Sequence, residues 1–471
     1  MNPSFLWSGL GLVSGLQARL SGAVPQGVKG ISIDTRTLNP GDLYVAIKGE
    51  TNDGHDYVAN AFEKGATAAV IDEAHAEALK GLGSLYIVNN TLGALEALGR
   101  AARQRTQARI TAITGSVGKT STKEALRIVL EDNGRTHASV ASYNNHWGVP
   151  LTLARMPAET QFGIFEIGMN HAGEITPLTK MVRPHIAIIT TIAPVHLENF
   201  DSIDGIADAK AEIFSGLEAD GIAILHRDIA QYDRLVRQVG DAQVLSFGED
   251  ENADARLIEC KSNSEGQDIS AIIQGMRISY HLGAPGRHMA INSLAILLAT
   301  KSLGLDLARA AHSLSSFKSP NGRGARFELP IQNGTFTLID ESYNANPASM
   351  RAALTLLGEI DVKGRRIAIL GDMLELGPNS ADLHKGLIEP ILANKIDRVF
   401  ASGPMMKHLF DALPADIKGE WTAEAQSLVS PLTQTIKPGD ALMIKGSNGS
   451  RMGPVVAKLK EIFTAEQTKA D

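Results

Sequence analysis

Short apolar runs recur along this chain, and between them lie segments whose apolar positions stand three or four residues apart. The first pattern marks strands and the second amphipathic helices. Over residues 1–107 the alternation in 30–34 and 42–47 predicts strands, as do 67–71 and 85–88. Residues 56–64 predict a short helix stopped by Gly65, and 91–105 a longer one with Leu and Ala at helical spacing. A second region opens at Ile110: a strand over 109–114, a glycine turn, then a helix over 120–131. The runs 162–167 and 185–192 are almost wholly apolar or β-branched, as in parallel strands covered on both faces. Residues 240–282 are polar and weakly patterned, and antiparallel strands are expected there. A helix with a strong apolar stripe follows over 288–303.

Residues 319–324, Ser-Pro-Asn-Gly-Arg-Gly, break regular structure and predict a linker. Beyond it, strands at 336–340, 366–370, 398–401 and 441–445 alternate with helices. The expected class is α/β in three domains: an N-terminal α/β unit (1–107), a central mostly parallel sheet with a phosphate loop (108–321), and a smaller doubly wound, Rossmann-like domain (322–471).

Composition narrows the function classes. At 44% hydrophobic and 21% charged residues, the 471-residue chain is neither disordered nor a disulfide scaffold. Lys plus Arg number 45 against 52 Asp plus Glu, and no long basic block occurs, so a general nucleic-acid binder is not expected, while a local basic pocket stays open. One cysteine, Cys260, cannot form an internal disulfide, which fits a reducing compartment. The apolar start over 5–16 lacks preceding basic residues and makes a poor signal peptide. No run reaches the ~20 apolar residues that span a bilayer. A soluble, cytoplasmic protein is expected.

The chemistry concentrates in Gly115-Ser116-Val117-Gly118-Lys119-Thr120-Ser121, set between a buried strand and a helix. Glycines let backbone N–H groups approach phosphate oxygens, the helix N-terminus adds positive potential, Lys119 neutralises outer phosphates and Thr120 can hold Mg²⁺. The loop departs from the general pattern in having Ile113 where the first glycine would stand. ATP is the expected ligand, with GTP left open by this motif alone. Glu166 and His196 fall at or just beyond the ends of neighbouring strands, where open α/β sheets bind ligands, and both suit a metal. Lys210 lies in the middle of the apolar face made by Ile206, Ala209, Ile213 and Leu217 of a helix predicted over 204–217. No carboxylate stands at 206 or 214 to pair with it, so the lysine either snorkels or is a buried amine of modified charge.

With these segments assembled, the chain resembles the Mur ligases, ATP-dependent amide-forming enzymes of peptidoglycan precursor synthesis, over essentially its whole length. The marks are Thr114 to Ser121, Glu166-Ile167-Gly168-Met169-Asn170, His196-Leu197-Glu198, Lys210 to Phe214, Ser342-Tyr343-Asn344-Ala345-Asn346-Pro347 and Gly371 to Gly377. Within the family the 166–170, 343–347 and 371–377 segments resemble the branch that adds D-alanyl-D-alanine to UDP-N-acetylmuramoyl-tripeptide. The resemblance implies that the 115–121 loop holds ATP and that Thr120, Glu166 and His196 surround two Mg²⁺ sites. It further implies that Lys210 is carbamylated by CO₂, becoming an anion that supports magnesium. It places His288 and Asn292 near adenine, and Arg326 and Asp340 at the nucleotide. Asp34, Thr35 and Arg36 would serve the UDP-sugar, Asn144 and Asn145 the sugar–peptide, and Asn344, Asn346 and Lys445 the substrates in the third domain. Lys119, Lys210, His196 and Glu166 would form the catalytic set of a monomer with no nucleic-acid or membrane partner. Asn448-Gly449-Ser450 intervene between Ser447 and Arg451, leaving either Lys445 or Arg451 to face the acyl phosphate. The branch that adds the third amino acid carries an Asp-Asn-Pro-Arg segment absent here, and a nucleotide-switched binding protein would hydrolyse ATP without consuming a UDP-peptide.

Overall fold

The computed structural model describes residues 5–465 apart from Ala141, His196 and Ser264. Three larger sheets organise it. Nearest the N-terminus is a five-stranded sheet in the order Arg19–Ser21, Ser84–Val88, Ala68–Asp72, Asp42–Val45, Gly30–Ser32, parallel except for its first strand. A small antiparallel pair, Trp7–Ser8 with Gly27–Val28, lies beside it.

The central sheet has nine strands. From one edge they run Thr136–Ala138, Phe162–Glu166, Arg109–Thr114, Ile186–Ile189, Ile222–His226, Gln243–Gly248 and Ala255–Asn263, all parallel, and then Gly266–Ile273 and Met276–Leu282, antiparallel. The expectation of antiparallel strands over 240–282 therefore holds only for the last part. Gln243–Gly248 joins the parallel stack because the helix Tyr232–Val239 returns the chain to the same edge. The predicted two-sided burial is visible in the alternation of side chains. Ile186 and Ile188 enter one core with Ile113 and Ile164, whereas Ala187 and Ile189 enter another with Ile110 and Phe165.

In the C-terminal sheet the order is Ala325–Ile331, Gly334–Glu341, Ala441–Lys445, Arg366–Gly371, Arg398–Ser402, Lys418–Thr422, with only the first pair antiparallel. Neither Ala325–Ile331 nor Lys418–Thr422 was expected from sequence; both are edge strands with many half-exposed positions.

The three units join differently. The helix Gly148–Ala154 of the central unit contributes Leu151 and Ala154 to the N-terminal core. Trp7 Nε1 donates to the Ala154 carbonyl at 2.8 Å, and Arg155 Nε donates to the Ile31 carbonyl at 2.7 Å. The C-terminal unit meets the central one through Leu197, which packs against both cores, and around a shared cavity. Among the described residues no helix is long and apolar enough to cross a membrane.

Candidate active site

Parallel strands deliver their carboxyl ends to one edge, and there the site assembles. The strand Arg109–Thr114 is flanked by Phe162–Glu166 and Ile186–Ile189, with Glu166 in register with Ile113 and Ile189 with Thr114. The loop after Thr114 thus begins beside the Glu166 carboxylate. It is tied down from the other side: Ser116 N donates to Thr191 O at 2.9 Å, Ser116 Oγ to Ala193 O at 3.0 Å, and Thr190 Oγ1 to Val117 O at 2.6 Å.

Gly118 starts the helix Lys119–Glu131 with φ +88°, and the amide nitrogen of Asn292 would lie 2.5 Å from any Cβ there. Gly173 shares φ +88° but has nothing within 4 Å. Gly173→Ala should therefore cost only the left-handed backbone penalty, about 1–2 kcal/mol. Gly118→Ala should cost more and weaken ADP binding as well. Urea unfolding and calorimetric titration of both variants check this, and equal stability losses would contradict the Asn292 contact.

Lys119 Nζ donates to the Gly115 carbonyl at 2.7 Å, curling across the turn that its own loop makes. Burial lowers its pKa, with the charge of Arg323 acting the same way and that of Glu166 opposing. Thr120 Oγ1 donates to Glu166 Oε2 at 2.7 Å, and Asn144 Nδ2 donates to Glu166 Oε1, also at 2.7 Å. Glu166 is buried. A hydroxyl and a carboxylate side by side form a hard oxygen donor set, which fits Mg²⁺. His196 lies outside the described residues.

Lys210 sits on the helix Ile203–Ala211, which tightens into a 3₁₀ turn over Glu212–Gly216 instead of running on to 217. Its side chain is buried, and no hydrogen bond or ion pair to it occurs among the described residues. Burial pushes its pKa well below the ordinary lysine range, and nearby Lys119 adds repulsion. Burial thereby favours the neutral form of the amine.

A cavity of 510 Å³ opens above the loop, lined by Ser116 to Lys119, Ser121, Asn144, Glu166, His288, Asn344, Asn346 and Lys445. It brings half of the expected residues together. Arg326 and Asp340 stay outside its lining. The Asp340 carboxylate accepts from Gly322 N at 2.8 Å and from Ser342 Oγ at 2.6 Å, holding the linker to the C-terminal sheet. The Arg326 guanidinium lies partly buried on the antiparallel edge pair, its Nε without a partner among the described residues. Asn346 caps the helix Pro347–Glu359, accepting from Ser349 N at 2.9 Å, and Asn145 Oδ1 accepts from Gly148 N at 3.0 Å. Both amides therefore carry a local structural load. Lys445 Nζ is buried, 3.2 Å from Glu341 Oε2 and 2.9 Å from Asn344 O.

Arg323 is the residue that sequence reasoning missed. It projects from the linker into the cavity, stacks on Tyr343 at 3.9 Å and donates to Ser142 Oγ at 3.2 Å. Its only sequence signal is a cation between two turn glycines, Gly322 and Gly324, both at positive φ.

A second cavity, of 910 Å³, is lined by Asp34, Thr35, Arg36 and Tyr44 of the N-terminal unit together with Tyr143, His146 and Trp147. Asp34 and Arg36 are paired at 2.7 Å, and that contact holds the Asp34 carboxyl below its usual range. One segment thus walls both cavities: Ser142 and Asn144 face the first, and Tyr143, His146 and Trp147 the second. A third, of 670 Å³, lies at the carboxyl ends of the C-terminal strands and includes Asp372, Ser402 and Arg451.

Three family models match the chain: "Mur ligase family, catalytic domain" over residues 27–106, "Mur ligase middle domain" over 113–300, and "Mur ligase, glutamate ligase domain" over 325–448. A UDP-N-acetylmuramoyl-tripeptide–D-alanyl-D-alanine ligase of Rickettsia prowazekii is 35% identical over 429 residues, 90% of this chain and 94% of the relative. The crystal structure of MurF from Acinetobacter baumannii superposes with a TM-score of 0.84 at 28% identity, covering 97% of this chain and 99% of that one. MurF of Thermotoga maritima in complex with ADP shares the fold, with a TM-score of 0.78 at 23% identity over 93% and 98% of the two chains.

Proposed function

The chain belongs to the Mur ligase family, and from that premise we propose that it joins D-alanyl-D-alanine to UDP-N-acetylmuramoyl-tripeptide at the expense of ATP. The observation that carries the reading is the shared wall of residues 142–147. A long substrate anchored in the N-terminal cavity can extend its peptide past Asn144 to the phosphate loop.

A carboxylate is a poor electrophile, so it must be activated before an amine can attack. A carboxylate oxygen of the tripeptide attacks the γ-phosphorus, the bond to the bridging oxygen of ADP breaks, and an acyl phosphate forms. The dipeptide amine then attacks the acyl carbon, loses a proton, and expels phosphate carrying that carboxylate oxygen. Both first partners are anions, and Lys119 and Arg323 bring positive charge to where they meet. Thr120 and Glu166 would hold Mg²⁺, which supplies charge neutralisation at the phosphates. His196 and, as a carbamate, Lys210 are the other candidates for that role. His288 lines the same cavity beside the Asn292 that buttresses Gly118, and the pair would face the nucleoside. Lys445 lines the nucleotide cavity and Arg451 the C-terminal one, so Lys445 is assigned to the acyl phosphate and Arg451 to the dipeptide. Asp34, Thr35 and Arg36 would hold the UDP-sugar. Separate units closing around the intermediate would keep water out.

Tripeptide labelled with ¹⁸O in its terminal carboxylate tests the reaction. Phosphate should appear only when ATP, the UDP-tripeptide and the dipeptide are all present, and it should carry one labelled oxygen. Unlabelled phosphate, or release independent of the dipeptide, would overturn the proposal.

A further inference from the structure

We infer that Lys123 is a positioning residue for the site: from the buried face of the phosphate-loop helix it pins the segment that orients the Glu166 carboxylate. The inference rests on the proposed assignment of Thr120 and Glu166 to Mg²⁺.

Lys123 follows Lys119 by one helical turn, yet its side chain is 0% exposed. An ammonium so placed is costly unless its protons are all engaged. Nζ donates to the Ser139 carbonyl at 2.7 Å and pairs with Glu124 Oε1 at 2.9 Å. Burial alone would raise the Glu124 carboxyl. Hydrogen bonds from Lys123 and Arg127 outweigh that and hold it low.

Ser139 begins an irregular stretch between the strand Thr136–Ala138 and the helix Gly148–Ala154. The described residues of this stretch form no strand; Ser139 N donates to Ile164 O at 3.2 Å and Asn144 O accepts from Gly168 N at 2.8 Å, and its side chains meet the site at three places. Ser139 Oγ accepts from Glu166 N at 3.4 Å, Ser142 Oγ lies 3.4 Å from Thr120 Oγ1, and Asn144 Nδ2 donates to Glu166 Oε1. With Thr120 on Oε2 and Asn144 on Oε1, both carboxylate oxygens have set directions. Asn144 can hold its oxygen only if the stretch that bears it is anchored, and Lys123 supplies an anchor at its start. The same helix then carries the phosphate lysine, the metal hydroxyl and the tether of the metal carboxylate, making their spacing rigid. An apolar side chain could fill the volume but could not direct the Ser139 carbonyl.

The experiment compares Mn²⁺ binding to the ADP complex, read from free Mn²⁺ by electron paramagnetic resonance, with metal-free ADP binding. Lys123→Met should bind metal-free ADP as wild type does while its Mn²⁺ affinity falls about tenfold or more, the effect expected of a lost outer-shell partner. Lys123→Arg should recover most of that loss. Wild-type Mn²⁺ affinity in a folded Lys123→Met would overturn the inference. If that variant does not fold, Lys123→Gln and Asn144→Ala are measured singly and together. Losses that fail to add support one chain of contacts, and additive losses refute it. Glu166→Gln separates this inference from its parent: unchanged Mn²⁺ affinity there would remove the metal assignment itself.

Discussion

Lys119→Met should reduce kcat on the order of 10³-fold while leaving the protein folded, the size of effect seen when one preorganised charge partner of a transition state is removed. The reason is positional. The amine already lies 2.7 Å from the Gly115 carbonyl, across the mouth of a loop that Thr190, Thr191 and Ala193 hold from the other side. Exchanging that carbonyl for phosphate oxygens requires only rotation of the side chain. The pressure on its charge from burial and from Arg323 is relieved when a polyanion arrives. Methionine keeps the stem and its packing, so thermal unfolding should be little changed while ADP affinity falls. Wild-type turnover in this variant would mean that phosphate is bound elsewhere.

Lys210→Ala should lower turnover by on the order of a hundredfold or more, with partial recovery when a small carboxylate such as acetate is added. Burial favours the neutral form of this amine, and it is the neutral form that adds to CO₂, forming an N–C bond and releasing a proton. The carbamate so formed would be an anion near Lys119, changing repulsion into attraction. Stability gives an independent readout. Because the folded pKa is depressed, the unfolded chain binds more protons between the folded and unfolded values, and an unmodified Lys210 destabilises the fold increasingly as pH falls through that window. Lys210→Ala removes this slope and should be at least as stable as CO₂-depleted wild type at neutral pH. A ¹³C carbamate resonance in wild type under labelled CO₂, absent from the variant, completes the test. Full activity in the variant, or no such resonance in wild type, would end the assignment.

How far these residues could be read from the chain follows from the range of the forces involved. The phosphate loop was legible because its parts are contiguous: a buried strand, glycines and a helix start need no distant partner to make sense. Glu166 was legible because a strand ending in an acid points to one sheet edge, and Lys210 because a charge on an apolar face conflicts with burial. The alternation of strand and helix likewise determined the α/β class, since each element must bury one face whatever its neighbours are. What lay beyond the sequence were the long-range choices. Asp340 spends its carboxylate on the Gly322 and Ser342 amides, and Asn346 spends its amide on a helix cap. Arg323, an unremarked cation in a turn, reaches the cavity only because the linker passes Ser142 and Tyr143's neighbouring wall and stacks on Tyr343. Lys123 had no reading at all until Ser139, sixteen residues away, was seen to meet it. A polar group finds its partner by where the chain returns in space, and that is settled by packing of whole elements, not by the residues beside it.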